Sequence, residues 1–158
     1  MGPMECAISS IEHAITHYMQ DLEAMSEEQI VGCAGGAARK PVDFTYEVAI
    51  VNKRIAARLR GTTPPQEPLE TEGSDWWVAP SELQSKEAIT AYMRQANEDL
   101  LSAAKAIPEE EGDKLVGAPG AERPAFAMAQ FAALHTMYHD AQLNFIQTLA
   151  GDLNVHWE

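Results

Sequence analysis

The stretch FAALHTMYHDAQLNFIQTL, Phe131 to Leu149, constrains the fold more than any other part of this chain. Its apolar residues recur at three- and four-residue steps, the period of a helix with one buried face. Taking His135 as zero at 100° per residue, His139 lies at about 40°, and Met128 and Ile146 lie near 20°. Phe131 and Leu149 fall near 320°, and Gln142 near 340°. Two imidazoles and an amide therefore share the apolar face of a helix that must look into a core. Buried polar groups need partners, because leaving one unpaired costs about 1–3 kcal/mol.

Three further segments carry the same period. The first runs from about Met4 to Met25, with Ile8, Ile11, Ile15, Tyr18 and Leu22 on one stripe. The second follows GCAGGAARKP, with Asp43 as its expected N-cap, Phe44, Val48, Val51, Ile55 and Leu59 on its stripe, and Gly61 as its stop. The third starts near Ser85, carries Ile89, Met93, Ala96, Leu100 and Ile107, and ends before Pro108. The fourth spans about Ala125 to Ala150. Residues 62–80 hold four prolines and read as a long loop, anchored by Trp76 and Trp77. No strand or repeat is evident. Four amphipathic helices with two long connections predict an all-α four-helix bundle, and 158 residues suit a single domain over 1–158.

Composition narrows the functional classes. The formal net charge is −13, from 24 acidic and 11 basic residues, which disfavours nucleic acid and anionic lipid as partners. No apolar run reaches the roughly 18–20 residues of a membrane span. The N-terminus has no basic region followed by an apolar stretch, so a cytoplasmic location is expected, with Cys6 and Cys33 as free thiols.

Two HxxxH pairs are present, and helical geometry separates them. On the first helix, His13 and His17 lie at about 0° and 40°, opposite an apolar stripe at about 140–220°. With Ser10, Gln20 and Asp21 beside them, they are expected to face solvent. His135 and His139 have two readings: core histidines satisfied by neighbouring helices, or two ligands of one metal ion. A third ligand would have to come from another helix, and Glu47, at the edge of the second helix's stripe, is the acidic candidate. Glu47 also has a simpler reading, a rim carboxylate paired with a base such as Lys53 or Arg54. On the residues alone that reading is preferred.

The stretch HTMYHDAQLNFIQTLAGD, with His135, His139 and Gln142 in an H-x-x-x-H-x-x-Q pattern, resembles the fourth-helix signature of the DinB/YfiT-like superfamily. EVAIVN, Glu47 to Asn52, is similar to that family's second-helix H-V-A-x-x-N pattern. The resemblance implies a four-helix bundle with a metal-centred pocket, and Glu47 stands where the first of three usual histidines would be. It implies a Glu47, His135 and His139 shell for a divalent metal, zinc or nickel, with Gln142 placed for outer-shell or substrate contact. The implied activity is metal-dependent hydrolysis or transfer that uses a low-molecular-weight thiol on a small-molecule substrate, under cover of the 62–80 loop and the VGAPGAERP connection. The alternative is a metal-free, dimeric stress-associated or ligand-binding bundle. Homodimerisation is expected from the resemblance alone.

Overall fold

The computed structural model describes residues 1–66 and 75–157. Five α-helices are present among them: α1 (Pro3–Ala24), α2 (Glu27–Val31), α3 (Pro41–Leu59), α4 (Lys86–Lys105) and α5 (Ala125–Leu149). α2 is a short addition, started by a Ser26/Gln29 capping box. The four long helices match the expected set and form an all-α bundle. Two-residue strands β1 (Leu115–Val116) and β2 (Arg123–Pro124) pair antiparallel just before α5. No described helix is long and apolar enough to cross a membrane. Cys6 and Cys33 are both free and exposed.

Two apolar layers fix the helix directions. One joins Met4 and Ile11 to Ile55, Leu100 and Met128. The other joins Tyr18 and Leu22 to Phe44, Ile50, Met93 and Leu143. Hence α1 runs parallel to α5, α3 runs parallel to α4, and the two pairs are antiparallel. Parallel neighbours need a connection that returns along the bundle, which explains the long segment between α3 and α4. The loop expected over residues 62–80 lies partly outside the described residues. Gly61, with φ at +69°, ends α3 in the left-handed region that glycine alone enters without cost.

Some expected details differ. Asp43 is not the N-cap of α3; Lys40 holds that position and Pro41 begins the helix. Asp43 is buried and accepts the Ala79 backbone N–H at 2.9 Å, so it ties down the far end of the long connection. Trp77 packs against the second core layer with the Arg54 guanidinium 5.1 Å over its ring. Trp76 is 54% exposed, with Arg39 4.8 Å over its ring, so it anchors the loop at the surface rather than in the core.

The buried faces are rotated from the apolar stripes. In α1 the buried residues are Met4, Ala7, Ile11, Ala14, Tyr18, Asp21 and Leu22, while Ile8 and Ile15 are half-buried. Small residues at Ala7 and Ala14 let a neighbouring helix approach closely, and no hydrophobicity pattern registers that. Asp21, expected at the surface, is fully buried; it accepts from Asn144 at 2.7 Å, and its backbone carbonyl accepts from Gln147.

Burial, together with the negative charge of Asp21, pushes the Asp140 carboxyl up to about 7. The folded pair thus keeps a proton that an unfolded carboxyl releases near 3.8. Stability from this source is full below about pH 4 and is lost as pH rises through 7. Asp140→Asn, melted with chelator present, is expected to match wild type near pH 4 and to exceed it by about 1–2 kcal/mol at pH 8. An unchanged pH dependence would show that the pair carries no shared proton.

Candidate metal centre

α3 and α5 run antiparallel, which sets the first turns of α3 against the second half of α5. Glu47 Oε1 lies 3.6 Å from His135 Nε2 and 3.7 Å from His139 Nε2. The three residues bring their ligand-type atoms within 4.8 Å of one another. His139 is buried; His135 and Glu47 sit at the rim, each 16% exposed. The apolar pattern placed both histidines inward, yet the true centre of the buried face is near Ala132, Thr136 and Leu143. Phe131 and Leu149, expected inside, are exposed. Alanines again draw the neighbouring helices onto their own side.

The expected partners of Glu47 are elsewhere, Lys53 over the Tyr92 ring and Arg54 over Trp77. Its partner is Arg39, whose guanidinium is 2.7 Å from Glu47 Oε2. Glu47 therefore offers one oxygen to Arg39 and turns the other to the histidines. Burial alone would raise its pKa, but the two facing imidazoles and the Arg39 charge outweigh it. The carboxyl is held well below the usual range.

Neighbouring groups fix the rings. His139 Nδ1 donates to the Gln142 amide oxygen at 2.8 Å, so a neutral His139 turns the lone pair of Nε2 toward Glu47. Phe44 stacks on His139 at 5.5 Å, Tyr138 meets its edge at 5.0 Å, and Phe131 stacks on His135 at 6.0 Å. Beside Gln142, a cavity of about 300 Å³ is lined mainly by Arg39, Phe44, Phe145 and Leu149.

The donor set fits a divalent ion. The gaps of 3.6 and 3.7 Å are too long for direct hydrogen bonds. They are close to the ~3.4 Å that separates two tetrahedral ligands with bonds of about 2.0–2.1 Å. One carboxylate oxygen and two imidazole nitrogens converge here, an arrangement that either a shared cation or protons on the ring nitrogens would satisfy. Gln142→Leu, which frees the His139 ring, is expected to weaken zinc binding about 10–100-fold in a chelator competition.

The other histidine pair is not assembled in this way. His13 is exposed, but His17 is half-buried under Trp157, their rings stacked at 4.5 Å, which corrects the expectation that both face water. No pattern in α1 signalled that the C-terminal tail folds back over it.

A family model described as the DinB superfamily matches residues 48–143, more than half of the chain. This chain belongs to the DinB superfamily. The matched span includes Asn52, His135, His139 and Gln142 and begins one residue after Glu47. The fold is similar to a DinB-like protein from Bacillus cereus ATCC 10987, with a TM-score of 0.71 at 15% identity over 96% of this chain and 94% of that one. It is also similar to a conserved protein from Enterococcus faecalis, with a TM-score of 0.68 at 12% identity over 94% and 97% of the two chains. Among curated proteins none matches. Likeness at such identities establishes the DinB-type bundle and leaves the chemistry to the residues themselves.

Proposed function

We propose that this DinB protein is a metal-dependent enzyme, a hydrolase or a thiol-dependent transferase, with Glu47, His135 and His139 as the ligands of zinc or nickel. The observation that carries the reading is the convergence of Glu47 Oε1 on two Nε2 atoms, one of them with its tautomer set by Gln142. A divalent ion in this place supplies the Lewis acidity that activates water or a low-molecular-weight thiol for attack. The protein's own groups do the rest. Gln142 orients His139, Arg39 holds the second Glu47 oxygen, and the Phe44, Phe131 and Tyr138 rings limit water at the ligands. The adjoining cavity gives a small-molecule substrate apolar walls, with a guanidinium and an amide among the lining groups.

The test is the metal content of untagged protein purified without chelator, read by mass spectrometry. About one zinc or nickel per chain is expected, and a chain that stays empty after incubation with either ion would overturn the reading. The Arg39–Glu47 ion pair favours one alternative, a metal-free ligand-binding bundle in which the guanidinium alone neutralises the carboxylate. That protein would stay empty and keep its fold without metal.

A further inference from the structure

The VGAPGAERP connection forms one wall of a cavity that the proposed metal chemistry does not use. Within it, the Ala121 N–H donates to the Ala118 carbonyl at 2.9 Å, closing a tight turn over Ala118, Pro119, Gly120 and Ala121. Pro119 presets the second position, and Gly120, with φ at +83°, takes the third, the residue order of a type II turn. Behind the turn Val116 pairs with Arg123, which fixes the Arg123 backbone just before α5. Between this hairpin, the end of α3 and the start of α5 lies a cavity of about 220 Å³, lined by Arg58, Ala118, Ala121, Arg123, Met128 and Phe131.

Two arginines thus line one small cavity in a chain of net charge −13. Arg39, Arg60, Arg94, Lys105 and Lys114 all hold carboxylates. Among the described residues, Arg58 and Arg123 have no acidic partner within ion-pair distance. Glu122, next to Arg123 in the chain, accepts from the Gly120 N–H at 2.8 Å instead. The dipole of α3 favours a cation in its last turn, which accounts for Arg58 being basic but not for a second arginine on the same cavity. The other large lining side chains are apolar, with Met128 buried and Phe131 43% exposed. Like charges sharing a small space repel, and an anion between them relieves the repulsion.

We propose that this cavity binds a small organic anion, its carboxylate or phosphate group held by Arg58 and Arg123 and its apolar part laid on Met128 and Phe131. A guanidinium fork matches either head group through paired N–H donors. Phe131 also stacks on His135, so the anion site adjoins the candidate metal centre through that ring, although it needs no metal itself. Arg58 lies on the same side of α3 as Glu47, about 20° from it around the axis.

Isothermal titration calorimetry of the untagged full chain tests the proposal, with benzoate and phenyl phosphate as probes and benzamide as the neutral counterpart. Both anions are expected to bind at about 1 mM or tighter, the tighter one naming the preferred head group, with benzamide at least about 10-fold weaker. Arg58→Gln and Arg123→Gln are each expected to weaken both anions about 10-fold or more. Arg123 is exposed, so its variant gives a reading should Arg58→Gln fold poorly. Arg94→Gln, away from the cavity and paired with Glu23, is expected to bind like wild type. Stripping metal with phenanthroline, followed by dialysis, is expected to leave the affinity unchanged, whereas a carboxylate captured by the metal centre would be lost with the ion. The proposal is overturned if neither anion binds in the millimolar range, if benzamide binds equally well, if both glutamine variants keep full affinity, or if binding disappears with the metal.

Discussion

Glu47→Ala and His139→Ala are each expected to empty the metal site, with a fall in zinc or nickel affinity of about 10³-fold or more. Each removes one of the three proposed ligands, and two remaining donors would hold a divalent ion poorly against water. His135→Ala should behave alike, because its Nε2 faces the same carboxylate oxygen. The measurement is competition against a chelator of known affinity. Retained binding in Glu47→Ala would mean that the histidines hold metal without α3 and that the ligand set is wrong.

Glu47→Gln is expected to destabilise the metal-free protein by about 2–3 kcal/mol. The amide preserves shape but leaves the Arg39 guanidinium, only 15% exposed, without its counter-charge. Arg39→Gln combined with Glu47→Gln should recover most of that loss, so denaturation of the full double-mutant cycle isolates the coupling. An additive cycle would show that the pair contributes no more than a surface contact. The pair bears on the chemistry as well. With an ion held as proposed, a glutamate in place of a neutral histidine would add one negative charge beside it, and Arg39, paired with Glu47, would cancel that charge. The net charge of the loaded site would then equal that of a three-histidine site. Arg39→Gln alone should therefore tighten metal binding, since it leaves Glu47 a more basic ligand.

Much of this was legible in the sequence. Four helical periods, their approximate limits and the His135/His139 spacing required only local regularity, because helix period and chain breakers act over a few residues. The H-x-x-x-H-x-x-Q and EVAIVN stretches marked the family resemblance, and the DinB superfamily match carries it. Faces were less legible. Ala7, Ala14 and Ala132 are buried while Ile8 and Ile15 are half-buried and Phe131 is exposed, because close helix approach rewards small side chains and a hydrophobicity count does not.

What the sequence by itself determined was the helices and the pairing of His135 with His139 on one turn of α5. What only the tertiary structure decided was how groups from separate elements meet: Arg39 on Glu47, the distances from Glu47 to the histidines, Asp21 beside Asp140, and Trp157 over His17. The physical reason is range. A side chain's place on its own helix follows from 100° per residue, whereas the group opposite it depends on how whole helices pack, and that is set by the summed burial of the bundle.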